Sequence, residues 1–238
     1  MLSSYAEGDA DGLLCCPVCR RIDRPFRRAV AFGSYDGGLR ELIHMLKYNG
    51  VRPAANVLGR MLAEALAPLE PAFAQGTVLV IPVPLYKAKS RVRGFNQSEL
   101  IARAALKSLR PSGRFQMAAD LLRRTRDTHS QIGLTSHQRR ENLRGAFACA
   151  PEVTGRDVLL VDDVYTTGTT VTECARVLRR AGASQVWVAT VARTLKLASK
   201  LSEIDRADSG EEGFRVSNFQ GFESEAESLQ EVAETLKH

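Results

Sequence analysis

Two adjacent carboxylates and a run of hydroxyl side chains follow one apolar segment of the sequence. Asp162 and Asp163 come directly after residues 159–161, and residues 164–170 then supply four threonines and one glycine. Paired carboxylates can accept hydrogen bonds from a sugar diol and can lie near a Mg²⁺-bound diphosphate. Threonine hydroxyls and the backbone N–H groups at a glycine can surround a phosphate. The pattern therefore predicts a site for an anionic sugar phosphate.

The elements around this segment favour the same interpretation. Residues 157–161 read as a buried parallel strand, and a helix is expected to follow the threonines. In open α/β sheets, ligands bind at the carboxyl ends of strands, where a helix N-terminus adds unpaired N–H donors. The alternative is a simple turn with Thr166, Thr167 or Thr169 as helix cap. Two neighbouring acids after an apolar strand cost desolvation and repulsion without a partner, which favours the phosphate site.

A cluster of cations follows a second apolar strand, predicted over residues 77–82. The cations are Lys87, Lys89, Arg91 and Arg93. A departing diphosphate needs positive charge where it leaves, so we predict a diphosphate-binding loop here and count Arg93 among the catalytic residues. A solvated basic loop is the alternative.

Residues 126–138 are polar and aperiodic, which predicts a long loop. Such a loop could close over a reactive, water-sensitive substrate. Its candidate residues are Arg124, Arg126, His129 and Gln131. His129 could be a general acid or base, although a solvated loop histidine is the alternative.

The remaining pattern predicts strands that alternate with helices. Further strands are expected near residues 29–35, 120–125 and 185–191, and helices over about 37–47, 54–67, 97–109 and 169–181. Alternation of this kind predicts a mainly parallel sheet flanked by helices. We divide the chain into an N-terminal cysteine-containing segment (1–28), an α/β domain (29–194) and an acidic C-terminal extension (195–238).

The motifs together resemble the ComF family, the competence-associated and GntX-like phosphoribosyltransferase homologues of bacteria. The resemblance covers about residues 15 to 193. Its carriers are the Cys-x-x-Cys at Cys16 and Cys19, Tyr35 with residues 39–47 before Gly50, Pro82-Val83-Pro84-Leu85, Arg93-Gly94-Phe95-Asn96-Gln97, the series from Arg124 to Phe147, and residues 157–170. The last of these resembles the signature with which type I phosphoribosyltransferases bind 5-phosphoribosyl diphosphate (PRPP).

The resemblance implies a type I phosphoribosyltransferase fold, a Mg²⁺–PRPP ligand and, in some members, an association with natural DNA uptake. It implies that Asp162 and Asp163 contact the ribose hydroxyls. The residues that would cradle the 5-phosphate are Thr166, Thr167, Gly168, Thr169 and Thr170. The family supplies no agreed acceptor substrate.

The N-terminal cysteines form half of a zinc site. Cys16 and Cys19 have zinc-knuckle spacing, but tetrahedral zinc needs four ligands, and the family typically has two such pairs. Cys15 could be a third ligand, and a reduced remnant that binds no Zn²⁺ is the alternative. Cys149 and Cys174 are expected to be small core hydrophobes.

Charge is unevenly distributed along the 238 residues. The chain carries +6, of which residues 195–238 contribute −5 (5 Lys/Arg, 10 Asp/Glu) and the rest +11. A basic body suits a polyanionic ligand, whether a diphosphate or a nucleic acid, while a solvated surface is the alternative. There is no apolar run long enough to span a membrane and no secretory signal pattern, so the cytoplasm is the expected location. The P-loop and dinucleotide-binding glycine patterns are also absent.

Two functional hypotheses follow. The first is a Mg²⁺-dependent transferase that moves a 5-phosphoribosyl group from PRPP to a nucleobase-like nitrogen acceptor. The second is a non-catalytic protein that binds PRPP, nucleotides or single-stranded DNA and acts in DNA uptake with competence-machinery proteins.

Overall fold

Within the described residues, the strands form a five-stranded parallel sheet and a separate two-stranded antiparallel ribbon. A computed structural model describes residues 24–73, 76–109, 113–127 and 136–194. The strands are β1 (Arg28–Ser34), β2 (Val78–Pro82), β3 (Phe115–Met117), β4 (Leu122–Arg124), β5 (Phe147–Cys149), β6 (Asp157–Tyr165) and β7 (Gln185–Arg193). The order in the large sheet is β1–β7–β6–β2–β3, and β4 pairs with β5.

Helices connect the strands and cover the sheet. They are α1 (Gly37–Tyr48), α2 (Ala54–Leu66), α3 (Lys87–Arg93), α4 (Gln97–Ser108), α5 (Ser136–Leu143) and α6 (Thr169–Arg180). Short 3₁₀ helices occupy Ala67–Ala72 and Pro151–Val153. The predicted α/β arrangement with a parallel sheet is confirmed. Among the described residues, none of the helices combines the length and apolarity needed to cross a bilayer.

Strand β6 lies in the middle of the sheet, between β7 and β2. Residues 158–161 are fully buried because helices cover both faces of the sheet. Leu159 and Val161 belong to the core that contains the apolar residues of α1, α2 and α4, whereas Val158 and Leu160 belong to the core that contains those of α6. This central position fixes the carboxyl end of β6 relative to helices from both layers.

The structure differs from the sequence prediction in five elements. The predicted basic loop is largely the helix α3, because residues 87–93 contain no proline or glycine and most of them form helices readily. Strand β6 continues through the acid pair to Tyr165 because β7 extends beside it to Arg193. Helix α5 begins inside the predicted long loop, at Ser136. The short strands β3 and β5 were not predicted, since three-residue strands carry too little periodicity.

Several predicted features lie outside the described residues. These are Cys15, Cys16, Cys19, His129, Gln131 and the acidic extension at 195–238. The three-part division of the chain stays a prediction. The expectation for the other cysteines holds for Cys174, which is buried, whereas Cys149 is only half-buried.

Candidate functional site

Asp162 and Asp163 lie on the last part of β6, at the carboxyl edge of the sheet. Asp162 is in register with Thr190 of β7, and Val164 is in register with Ala192. The acid pair is therefore part of the strand rather than of the loop after it. The backbone of a strand inside a sheet is held by hydrogen bonds to both neighbouring strands, so the backbone that carries the two carboxylates is fixed.

Asp163 has a cationic partner on another element. Lys47, in the last turn of α1, places its Nζ 2.6 Å from Oδ2 of Asp163. The backbone N–H of Val164 donates to Oδ1 of Asp163 at 2.8 Å. Burial lowers the pKa of Lys47, but the charge of Asp163, the hydrogen bond to it and the charge of Asp162 together raise the pKa above its ordinary value. The ion pair holds α1 against the end of β6.

Asp162 is bonded to the start of α4. Oδ1 of Asp162 accepts a hydrogen bond from the Ser98 hydroxyl at 3.0 Å and another from the Asp163 N–H at 3.0 Å. Burial and the charge of Asp163 raise the pKa of Asp162 to about 7, although Lys47 and the hydrogen bonds act in the opposite direction.

The threonine segment makes a tight bend between β6 and α6. Gly168 has a φ of +73° and occupies the cap position of α6, where no side chain makes a capping hydrogen bond. The alternative of a threonine helix cap is therefore wrong. Thr167 and Thr169 instead place their hydroxyl oxygens 2.8 Å apart. This arrangement brings hydroxyl groups together beside the N-terminus of α6, which suits an anion such as a phosphate.

A tyrosine and a threonine support this bend. A Cβ atom built on Gly168 would lie 2.2 Å from the Tyr165 hydroxyl oxygen, so only glycine allows this approach. The same hydroxyl accepts a hydrogen bond from Nη1 of Arg24 at 2.7 Å. From the end of β7, Thr194 donates its N–H to the Tyr165 carbonyl at 3.0 Å and its hydroxyl to the Thr166 carbonyl at 3.3 Å.

The four predicted diphosphate ligands are arranged on two sides of α3. At about 100° per residue, Lys87 and Arg91 are separated by about 40°, as are Lys89 and Arg93, while Lys87 and Lys89 are separated by about 200°. The prediction of one loop in which all four surround a diphosphate therefore needs correction. Arg93 donates to Oε1 of Gln97 at the start of α4, so the Lys89/Arg93 side is the one turned toward α4.

The two arginines predicted for the long loop have different environments. Arg124 is half-buried with its guanidinium 5.6 Å from the centre of the Phe147 ring, and burial lowers its pKa. Arg126 is exposed and donates to the carbonyls of Asn142 at 3.0 Å and Arg144 at 2.9 Å, which lie at the end of α5. Arg126 thus joins the two sides of the segment that contains His129 and Gln131.

Five residues that contact the acid pair or the bend had no predicted site role: Lys47, Ser98, Arg24, Tyr165 and Thr194. Lys47 and Tyr165 were part of the motifs described above, and Ser98 directly follows one. Their contacts join residues far apart in the chain, however, such as Arg24 and Tyr165. A spacing pattern along one segment does not reveal such contacts.

The chemistry of the acid pair suits Mg²⁺–PRPP. Mg²⁺ is usually held by one or two carboxylates together with substrate phosphates. The oxygens of Asp162 and Asp163 have this chemistry, and Lys47 offsets one of their charges. In the described part of the chain, no group of three or more His, Cys, Asp or Glu side chains could hold a metal ion.

Comparison with known proteins identifies the class. Residues 97–218 match the phosphoribosyl transferase domain family. The parallel sheet and its flanking helices are those of a type I phosphoribosyltransferase fold, as predicted.

Three curated relatives define the family more closely. DNA utilization protein YhgH of Escherichia coli O157:H7 is 37% identical over 183 residues, which are 76% of this chain and 79% of that protein. Competence protein F of Haemophilus influenzae is 31% identical over 75% of this chain and 78% of that protein. Competence protein ComFC of Bacillus subtilis is 26% identical over 63% of this chain and 57% of that protein. The chain belongs to the ComF family.

Proposed function

We propose that this chain binds PRPP with Mg²⁺ and transfers the 5-phosphoribosyl group to a nitrogen nucleophile. The observation that supports the proposal is the pairing of Asp162 and Asp163 with a hydroxyl-lined bend at the carboxyl end of β6. In the reaction, the bond between C1 of the ribose and the diphosphate oxygen breaks. A bond between C1 and the acceptor nitrogen forms, and the acceptor loses one proton.

Each part of the site has a role in this proposal. Asp162 accepts hydrogen bonds from the ribose hydroxyls, while the bend from Thr166 to Thr170 binds the 5-phosphate through hydroxyl and backbone N–H donors. When bound with PRPP beside Asp162 and Asp163, Mg²⁺ would supply positive charge to the diphosphate. The Lys89/Arg93 side of α3 adds positive charge near the leaving group, so the rate comes mainly from positioning and electrostatics.

Lys47 tunes the charge of the acid pair in this scheme. Its ion pair with Asp163 leaves one negative charge when Asp162 is ionised and none when Asp162 is protonated. A single carboxylate charge can accept ribose hydrogen bonds without strongly repelling the phosphates of the ligand. Lys47 is thus the partner within the protein that compensates one charge of the two neighbouring acids.

Isothermal calorimetry with PRPP and MgCl₂ tests the proposal. Wild-type protein should bind PRPP, and Asp162→Asn/Asp163→Asn should abolish binding. Asp36→Asn/Asp120→Asn is the matched control, because it removes the same two charges from exposed positions. The site would be contradicted if both double variants lost PRPP binding equally, or if Asp162→Asn/Asp163→Asn still bound PRPP.

The transfer step needs its own measurement. Diphosphate release should be followed with wild-type protein across a panel of nucleobases. Release that depends on one base identifies the acceptor. If PRPP binds but none of the nitrogen acceptors gives release, the transfer step fails while the binding site stands.

The names of the relatives favour a second candidate function. The related proteins are named for DNA utilization and competence, and residues 1–194 of this chain carry +11. A protein that retains the PRPP fold could serve DNA uptake by binding single-stranded DNA or competence-machinery proteins. Salt-dependent binding of single-stranded DNA without diphosphate release would favour this candidate over the transferase.

A further inference from the structure

The bend between β6 and α6 has no cation of its own. Residues 164–170 contain only valine, tyrosine, threonine and glycine. A sugar 5-phosphate is an anion that this bend must bind with neutral hydroxyl and N–H donors. Such donors are most effective when they are already oriented before the ligand arrives. The contacts that fix the shape of the bend therefore matter for binding.

The side chain of Tyr165 lies against this bend. Tyr165 is the last residue of β6, and its ring packs against the core that contains Val171 of α6. Its hydroxyl oxygen would lie 2.2 Å from a Cβ atom at Gly168, so it occupies the space in which a side chain at that position would begin. A shift of the hydroxyl therefore either displaces Gly168 or opens a gap beside it.

Arg24 fixes the Tyr165 hydroxyl from a distant part of the chain. Nη1 of Arg24 donates to the Tyr165 oxygen at 2.7 Å. The guanidinium carbon of Arg24 lies 5.6 Å from the ring centre of Phe26, which is buried in the same core. The backbone beside Phe26 is bonded to the sheet, because the Arg27 N–H donates to the Val186 carbonyl at 2.7 Å. Arg24 is therefore attached to the core as well as to Tyr165.

We propose that Arg24 is a positioning residue for the 5-phosphate. Through the Tyr165 hydroxyl, it holds the bend at Gly168 in the conformation that binds an anion. The contact suits this task because hydrogen bonds from a charged donor are roughly twice as strong as those between neutral groups. The inference rests on the proposed function but extends it, since Arg24 lies outside residues 97–218, which match the phosphoribosyl transferase domain family. The segment before β1 is thereby part of the phosphate site.

The two ends of PRPP should respond differently to the loss of Arg24. The ribose 5-phosphate end binds at the bend, whereas the diphosphate end binds with Mg²⁺ near the acid pair and the Lys89/Arg93 side of α3. Arg24 reaches the bend through Tyr165. A change at Arg24 should therefore weaken the binding of ribose 5-phosphate and leave that of inorganic diphosphate unaffected, while a general loss of folding would weaken both.

Isothermal calorimetry on the full chain tests the proposal with two probes, ribose 5-phosphate alone and inorganic diphosphate with MgCl₂. Arg24→Met removes a hydrogen bond from a charged group, so it should weaken ribose 5-phosphate binding by about tenfold and change diphosphate binding by less than about twofold. Arg24→Lys, which keeps a charged donor, should recover part of the loss. Arg40→Met is the matched control, because it removes the same charge from an exposed position on α1.

A double-mutant cycle shows whether Arg24 acts through Tyr165. Tyr165→Phe removes the hydroxyl but keeps the ring in the core, and it should weaken ribose 5-phosphate binding to a similar extent as Arg24→Met. Adding Arg24→Met to Tyr165→Phe should then cause no further loss, because the two residues share one contact. Additive losses would mean that Arg24 contacts the phosphate directly, which would overturn the positioning role.

Amide hydrogen exchange of the ligand-free protein gives a readout that needs no PRPP. Peptides covering residues 166–170 should exchange faster in Arg24→Met and Tyr165→Phe than in wild type, and at the wild-type rate in Arg40→Met. Unchanged exchange in the bend, or equal weakening of both probes by Arg24→Met, would overturn the proposal. If wild-type protein does not bind ribose 5-phosphate, the proposed function fails, and the exchange rates alone decide whether Arg24 holds the bend.

Discussion

The end of β6 and the helix α3 both carry a dense group of like charges, but the protein treats them in opposite ways. The acid pair has partners within the protein. Asp163 forms an ion pair with Lys47 of α1, and Asp162 accepts a hydrogen bond from Ser98 of α4. Lys87, Lys89 and Arg91 of α3 are exposed, Arg93 is half-buried, and the helix has no buried residue.

This difference indicates what each group can do before a ligand arrives. A tied carboxylate pair is already oriented, so little conformational entropy is lost on binding. It also stores a cost, because charge is buried. Exposed lysines and arginines cost nothing in the free protein and must be ordered by their ligand. The end of β6 therefore provides geometry, whereas α3 provides long-range attraction.

Removal of the cation that pairs with Asp163 should have the largest effect on stability. Lys47→Met leaves the charge of Asp163 buried without its partner, which should lower the free energy of unfolding by about 3–5 kcal/mol. Urea denaturation at neutral pH measures this change. Lys107→Met, which removes an exposed lysine from the last turn of α4, should change stability by no more than about 0.5 kcal/mol. Similar losses in the two variants would show that the ion pair is not structurally important.

The pH dependence of stability should reveal the stored cost at Asp162. Its carboxyl ionises near pH 3.8 in the unfolded chain but near pH 7 in the fold, because burial raises the pKa to about 7. Protonation of Asp162 favours the folded state. This stabilisation is complete below pH 3.8 and is lost as the pH rises to about 7. At about 1.4 kcal/mol per pH unit, the loss is at most about 4 kcal/mol.

Asp162→Asn isolates this contribution. Its stability relative to wild type should increase from pH 4 to pH 7 and then level off, since the amide does not ionise but its oxygen still accepts from Ser98. Denaturation curves at several pH values give the difference directly. A difference that is flat with pH would mean that Asp162 has an ordinary pKa in the fold.

The bend after β6 should tolerate no side chain at its glycine. Gly168→Ala combines a φ of +73° with a clash against the Tyr165 hydroxyl, which Arg24 holds in place. We expect a loss of about 2 kcal/mol in stability and a loss of PRPP binding. Gly155→Ala has a similar φ of +70° but open space around the new Cβ, so it isolates the backbone strain. Equal effects of the two substitutions would show that the contact with Tyr165 is unimportant.

Sequence patterns predicted the parts of this site that are contiguous along the chain. The apolar run of β6, the acids and the glycine bend occupy one segment, so periodicity and residue type sufficed to place them. The partners of the acids were not predicted, because Lys47 and Ser98 reach Asp163 and Asp162 only through the packing of α1 and α4 on the sheet.

The error at α3 has a different physical cause. The clustered cations suggested a loop, but Pro82, Pro84 and Gly94 flank the basic segment rather than interrupt it. Gly94, with a φ of +76°, ends the helix as a left-handed cap whose N–H bonds to the Ser90 carbonyl at 2.8 Å. Gly94 therefore marks the C-terminal boundary of a helix.

Substitutions on the two sides of α3 should have similarly small effects on stability but different effects on ligand affinity. Lys89→Gln/Arg93→Gln and Lys87→Gln/Arg91→Gln remove the same charge from one helix, and each should change stability by no more than about 0.5 kcal/mol. Calorimetry with PRPP should nevertheless show the larger loss for the first pair, because Arg93 is held toward α4 by Gln97. The second pair acts only through a field that solvent screens over about 10 Å at 0.1 M salt. Equal losses at that salt concentration would mean that α3 attracts the ligand by net charge alone, and Arg93 would then lose its assigned role beside the leaving group.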